Sequence, residues 1–446
     1  MSDDDKKVDP FETVGVSGLK RAGGYVLEEW LPELQSHRGR RVMRQMIDSD
    51  PIIGAGLLAI DLLSRNVPWS TEPVSNEKND VEASTFLESC RTDMSYSWND
   101  TIAEILTFVP WGWEWSEIVY KVRGGDSDDP KQHSKYDDNR IGWRKIAPRA
   151  QETLSSWDFD ADGGVRAMIQ QAPPDYQIRR IPIEKSLLFR ARAIKGNPEP
   201  PGILRNVYEP YYFKKSLSRI EGIGVERDLA GIPIIWLPAE ILAAETAATK
   251  AQLASYQKLA TNVRRDEQEG ILMPLVYDKD RNKRYDFTLL SSAGQRQHDT
   301  DKIIVRYDHR IAMALLTDFM LLGTKTVGSY ALSQDKTSLL SVALNTYLDI
   351  VEEAFNTHAV PRLFKLNTFQ VKQYPKLKHG KVEAVDVEKF AQAIQALSQS
   401  GMPLFPDVEL ENYIRSQMKL PALKEDELQR RREEDKARGA EGKEVE

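Results

Sequence analysis

The segment LLGTKTVGSYALSQDKTSLLSVAL, Leu321 to Leu344, sets two glycines, two lysines and a dense run of hydroxyl residues between two apolar-periodic stretches, a composition that could grip phosphate. A phosphate loop places Lys and then Ser or Thr directly after its last glycine. Backbone amides then wrap the phosphates while the ammonium reaches the terminal one and the hydroxyl holds Mg²⁺. Here Gly323 precedes Thr324 and Lys325, and Gly328 precedes Ser329 and Tyr330. Neither glycine offers that order, and the loop needs another explanation.

The other chemistry-bearing patterns also break against their context. GAGLLA, Gly54 to Ala59, fits the dinucleotide form G-x-G-x-x-G/A, but it follows MRQMIDSDPII, helical and proline-broken, where that motif requires a buried strand. Close helix packing is the reading for these glycines. DFDADG, Asp158 to Gly163, opens like a calcium loop, yet its twelfth position is Ile169 and its flanks alternate as strands, so a hairpin turn is expected. Glu114 and Glu117 stand among Trp111, Trp113 and Trp115, where desolvation could raise a carboxyl pKa for acid catalysis. Strand alternation sends Trp113 and Trp115 to one face and Glu114 to the other, which favours a core-facing aromatic stripe. His37, His133, His298, His309, His358 and His379 form no metal-binding spacing, and G-x-S-x-G is absent from the sequence. Cys90, the single cysteine, follows Leu87 on an apolar helical stripe and reads as core; alone it excludes an intramolecular disulfide or multi-cysteine metal site. The expectation is a non-enzyme with no cofactor and no metal.

The elements that must carry these residues change character midway. From Arg40 to Asn66 the apolar spacing is helical, with Asp50 as cap and Pro51 at the first turn of a restarted helix. PWSTEPV reads as a short strand, and NDVEASTFLESCRTDM and WNDTIAEILTFVPWG as helices, the second starting at Asn99-Asp100. WEWSEIVYKVR, GWRKIAPR, SSWDFDADGGVRAMIQQA and YQIRRIPI alternate as hairpin strands. After the breaker cluster from Lys195 to Gly202 the chain turns mostly helical. Residues 203–231 form one long helix that Pro210, Gly222 and Gly224 could bend; IPIIWLP is a buried strand; Glu240 to Gln268 is an Ala-rich helix; ILMPLVYDKDRNKRYDFTLLSS is a hairpin with a polar tip. Two further long helices flank the opening loop, and FQVKQYP is a last strand before a small helical end. The fold class is α+β.

At 446 residues, two or three domains or one large elongated protomer are expected. Sixty-one basic against 68 acidic residues, a net of -7, argues against a dedicated tight nucleic-acid binder. MSDDDKKVDPFE lacks the order of a signal peptide, and no apolar run approaches the roughly 20 residues of a membrane span, so a soluble protein with no membrane partner is expected. The long helices carry more apolar and aromatic residues, such as Tyr208, Tyr211, Tyr212 and Phe213, than one intrachain contact would use. Copies packed side by side around a ring through a heterologous, closing interface would bury those sides.

In these residues the chain resembles the portal proteins of tailed bacteriophages, in particular the Mu-like branch. The resemblance is carried by SDPIIGAGLLAIDLLSRNVPWSTEP, WEWSEIVYKV, GWRKIAPRAQETLSSWDFDADGGVRAMIQQAPP, IPIEKSLLFRARAIKGNPEPPGILRNVYEPYYFKKSLSRIEGIGVERDLAGIPIIWLP and the opening loop, in family order over about Arg40 to Leu366. It implies an elongated protomer, with an α+β wing, long stem helices and a small α/β clip, that assembles into a ring, usually a dodecamer. The ring stands at one capsid vertex of the virion, after assembly in the host bacterial cytoplasm. The implied divisions are a partly disordered arm at 1–39, a wing at 40–201, stem helices at 202–230 and 298–320, a clip at 231–297 and a tunnel loop at 321–333. A long wing helix at 334–367, a wing end with a short crown at 368–422 and a charged, disordered tail at 423–446 follow. Double-stranded DNA would be packaged through the channel by the terminase large subunit and later ejected, weakly bound on the way. A head-completion adaptor, tail proteins and the major capsid protein are the further implied partners.

On that resemblance Thr324, Lys325, Thr326, Ser329 and Tyr330 face DNA, with Lys336 at the base of the loop. The clip tip Lys279, Asp280, Arg281, Asn282 and Lys283 would dock the terminase and later an adaptor. A net acidic chain repels phosphate at long range while a few lysines supply loose contacts, which suits a channel in which duplex must slide. Two other classes remain open from the residues alone: a nucleotide- or sugar-handling enzyme built on GAGLLA or the Trp-Glu strand, and another phage structural or scaffold protein.

Overall fold

The structure is a computed structural model. It describes residues 15–230, 232–264, 285–290, 299–318, 321 and 330–382, with backbone alone at 225–230, 232–233, 260–264, 287–290 and 330–338. The chain divides into two compact units, Met1–Gly380 and Lys381–Glu446, and of the second only Lys381 and Val382 are described.

The first unit opens with a small ribbon, β1 (Arg21–Ala22) and β2 (Tyr25–Val26). Residues expected in a partly disordered arm are anchored here: Trp157 N donates to Gly24 O at 2.8 Å, and Glu29 takes a two-pronged bond from Arg205. Two helices follow, α1 (Ser36–Ser49) and α2 (Pro51–Arg65). As expected, Asp50 separates them; its Oδ1 accepts from Ile52 N and Ile53 N at 2.9 and 3.2 Å, and Pro51 stands where a missing N–H costs nothing.

Strand β3 (Trp69–Glu72) leads to α3 (Lys78–Thr92), α4 (Trp98–Ile105) and α5 (Phe108–Trp111). The cap of α4 is Ser97, two residues before the expected start, because its hydroxyl accepts from Asp100 N at 3.0 Å while donating to the Asp100 carboxylate at 2.6 Å. Six strands then form two sheets. The first, ordered β5-β4-β9, joins β4 (Trp113–Gly124), β5 (Asp137–Arg149) and β9 (Ser186–Arg190); the second joins β6 (Leu154–Phe159), β7 (Val165–Gln171) and β8 (Ile178–Pro182) in sequence order. Asp158 to Gly163 supplies a hairpin turn, as expected, with Gly164 N donating to Asp160 Oδ1 at 2.6 Å.

Alternation along β4 organises the core between and behind these sheets. Trp113 and Trp115 point at the second sheet and meet Trp157 with ring centres 5.1 and 5.6 Å apart, joined by Leu154, Met168 and Ile181. The opposite face is buried too, against helices whose Phe355 meets Trp98, Trp143 and Phe189. Cys90 is fully buried in α3, and burial pushes its thiol up to about 11 despite the neighbouring Arg123, which fits the core reading.

Beyond the sheets comes α6 (Leu204–Ala230), continuous through Pro210, then β10 (Ile232–Trp236), α7 (Ala239–Ala243), α8 (Ala247–Arg264), β11 (Asp286–Leu290) and α9 (Thr300–Ala314). The expected single Ala-rich helix is broken at Ala244, whose φ is +50°. Strand β10 pairs only with β11 among the described residues, and its Trp236 is 61% exposed, so it is not the buried strand expected. Of the expected polar-tipped hairpin, the first arm and tip lie outside the described residues.

The last described elements are α10 (Tyr330–Ala354), a π-helical turn at Phe355–Ala359, α11 (Val360–Lys365) and β12 (Lys376–His379). The turn widens just ahead of Pro361, which has no N–H to offer a tighter ladder. FQVKQYP is not a strand. The strand lies further on, and it pairs with β3.

Candidate functional site

Two long helices dominate the half of the first unit away from the sheets. At 27 residues α6 runs about 40 Å. It packs along α9 in the opposite direction, since Glu221 contacts Thr300 at one end, Phe213 stacks on Tyr307 in the middle, and Val207 and Tyr211 share a cluster with Ile311 and Leu315 at the other. Met46 of α1 and Ile53 of α2 close that cluster, so the root of the pair is built into the body of the unit.

The chain reaches α6 through a tight crossing. Gly112 has φ +97° and ends α5 left-handed; a Cβ there would lie 1.8 Å from Pro200 O, and one on Gly202 would lie 2.3 Å from Pro110 O and 2.4 Å from Gly112 N. Ile203 N donates to Val109 O at 3.0 Å across the same crossing. Only residues without side chains permit two backbones this close.

Electrostatics pin the pair to the body. Lys214 on α6 holds Asp308 of α9 at 2.6 Å and Asp50, the cap of α2, at 2.8 Å. Burial opposes its charge, but the two carboxylates outweigh it and raise the ammonium above its ordinary value. Gly56 of the GAGLLA segment faces Leu315 and Thr317 just past α9, where a Cβ would come within 2.8 Å of Leu315 Cδ1. Its role is the expected helix packing.

Several large apolar side chains of the pair are open to solvent. Tyr212 is 53% exposed, Ile220 63% and Met313 62%, with Phe213, Ile223 and Val305 also exposed. They stand on helix faces that the single chain leaves uncovered.

Glu114 is the one catalysis-suited carboxylate the sequence singles out that the structure buries almost completely. Burial drives its pKa well above the carboxylate range, and Ser116 Oγ stands 2.9 and 3.0 Å from its oxygens. Glu117 is instead salt-bridged to Arg149 and Lys185. The Trp-Glu strand is core.

Of the loop residues, Thr324, Lys325, Thr326 and Ser329 lie outside the described residues, as do Lys279, Asp280, Arg281, Asn282 and Lys283 of the expected tip. Tyr330 and Lys336 stand, by backbone, on α10, which begins before the expected end of the loop. Sequence reading missed Lys214 and its two carboxylates, because nothing in KKSLS marks which lysine is enclosed; the glycine of PPG was the available signal for the crossing.

The chain is similar to known proteins over most of its length. A family model described as the portal protein of Mu bacteriophage matches residues 40–420. No curated protein matches. Among solved structures, the neck of a native gene transfer agent particle computed with C12 symmetry is 12% identical, covers 91% of this chain and 97% of its own, and superposes with a TM-score of 0.50. A chain from the virion of the native gene transfer agent particle is 12% identical over 86% of this chain and 93% of its own, with a TM-score of 0.46. At such identity the likeness is one of fold.

Proposed function

The chain belongs to the portal protein family of Mu bacteriophage, and from that premise we propose that it assembles into a ring, a dodecamer, forming the channel through which double-stranded DNA enters and leaves a phage capsid. The observation that carries this reading is the set of large apolar side chains that the α6 and α9 pair leaves uncovered, with Tyr212, Ile220 and Met313 open to solvent in the single chain. A neighbouring copy is its occupant: a heterologous contact repeated around an axis closes into a ring and covers each flank once. The C12 symmetry of the similar neck structure agrees with that number.

In this reading residues 40–201 are the wing, α6 and α9 the stem, 231–297 the clip and 321–333 the tunnel loop. Thr324, Lys325, Thr326 and Ser329 meet passing duplex; the tip at Lys279 to Lys283 docks the terminase and then an adaptor. The major capsid protein surrounds the wing at one vertex of the virion. The role is structural, with turnover left to the terminase. In a packaging reaction, nuclease-protected DNA should require this chain in the procapsid; equal protection in procapsids lacking it would contradict the role.

A further inference from the structure

A second feature lies on α1. Helix α1 begins SHRGRRVMR and carries Arg38, Arg40, Arg41 and Arg44, with no acidic residue in its first turn. Cations at a helix N-terminus oppose the macrodipole, so local stability does not favour this arrangement. Two of the four are engaged in the fold: Arg40 reaches Glu199 at 3.1 Å and Leu154 O at 2.9 Å, and Arg44 reaches Glu152 at 2.7 Å. Arg38 and Arg41 are exposed and have no carboxylate partner among the described residues. They line, with His37, Val42, Arg44, Gln45 and Glu152, an open cleft of about 790 Å³. Its single acid is the one already bonded to Arg44.

We propose that this cleft holds the phosphodiester backbone of duplex DNA, at the root of α6 and outside the tunnel loop. Arg38, Arg41 and Arg44 follow one another at three-residue steps, about 4.5 Å apart along the axis, and fan over roughly a third of the helix circumference. The guanidinium forks of Arg38 and Arg41 in this fan can each take a separate phosphate in bidentate geometry. The opposite side of α1 is fixed, since Met46 is sealed against Leu204, Val207 and Tyr211. The cations are thus held at a set place on a chain whose net charge is -7. The choice of DNA over an acidic polypeptide rests on the portal reading.

The test uses the purified full-length chain, a labelled random-sequence duplex and a salt series, with polyglutamate as a second probe. The double variant Arg38→Ala/Arg41→Ala should lose roughly tenfold in duplex affinity at low salt and lower the slope of log K against log salt by about 1.8, two phosphate contacts' worth. Arg166→Ala/Lys131→Ala removes two other exposed charges and should change neither. Arg38→Lys/Arg41→Lys should keep most of the salt slope while losing affinity. Unchanged duplex binding in the alanine variant overturns the proposal, as does binding of polyglutamate in place of duplex. Rings seen by electron microscopy alongside unchanged duplex binding overturn the cleft alone; absence of rings overturns the portal assembly instead.

Discussion

The ammonium of Lys214 stands 2.6 Å from Asp308 Oδ1, and through its second contact at 2.8 Å to Asp50 it joins α6, α9 and the cap of α2 at one point. Its side chain is 12% exposed, so the charges are largely withdrawn from water. Lys214→Met leaves two carboxylates facing each other without a cation and should cost about 2–4 kcal/mol in denaturant unfolding. Adding Asp308→Asn should recover part of the loss. A single variant as stable as the parent would show that the contact does not tie the helices.

The crossing of Gly112 and Gly202 predicts a contrast between glycines. Gly202→Ala forces a Cβ to within 2.4 Å of Gly112 N and should yield insoluble or grossly destabilised protein. Gly222→Ala, in the middle of α6 with nothing within 4 Å, should stabilise the chain by about 0.5–1 kcal/mol. Thermal melts of the two variants check both signs.

Glu114 gives a pH dependence of known sign. Its folded pKa lies well above the ordinary 4.5, so above that value the folded state retains a proton that the unfolded state releases. Stability from this group therefore falls as pH rises from 4.5 toward the folded value. Glu114→Gln should raise the melting midpoint relative to the parent at neutral pH and lose that advantage in acid. An advantage independent of pH would mean that Glu114 does not titrate in this way.

If Lys325 meets the duplex as proposed, Lys325→Ala should leave assembly intact while changing the rate of DNA packaging or the retention of packaged DNA, through loss of a loose phosphate contact. Normal packaging and retention would return the lysine to an ordinary solvated loop.

What the sequence disclosed depended on how local the cause was. Asp50 and Pro51, the turn at Asp158 to Gly163 and the stripe of Trp113 and Trp115 are set by neighbours within a few residues, and all stood in the string itself. FQVKQYP misled because its alternation looked like a strand. Instead Asn367 uses its side-chain amide as a strand edge, accepting from Ile141 N and donating to Ile141 O at 2.9 Å each. Asn356 does the same for Leu377 across 21 residues. Such substitutions for backbone pairing have no periodic signature. The enclosure of Lys214 depends on three helices meeting, and the burial of Glu114 on helices packed behind the sheet; neither is a property of the segment that carries the residue. The apolar excess read on α6 was only partly right: Tyr211 is buried in the chain's own core with Tyr208 packed against it, while Tyr212 and Phe213 are exposed.

Assembly is tested most directly by negative-stain images of the purified chain beside its Tyr212→Glu/Ile220→Glu variant. Both residues are exposed in the single chain, so the variant should keep the parent's circular dichroism. The parent should appear as rings with a central hole and the variant as single copies. Single copies in the parent preparation, or rings undiminished in the variant, would contradict a ring closed through the flank of α6 and α9.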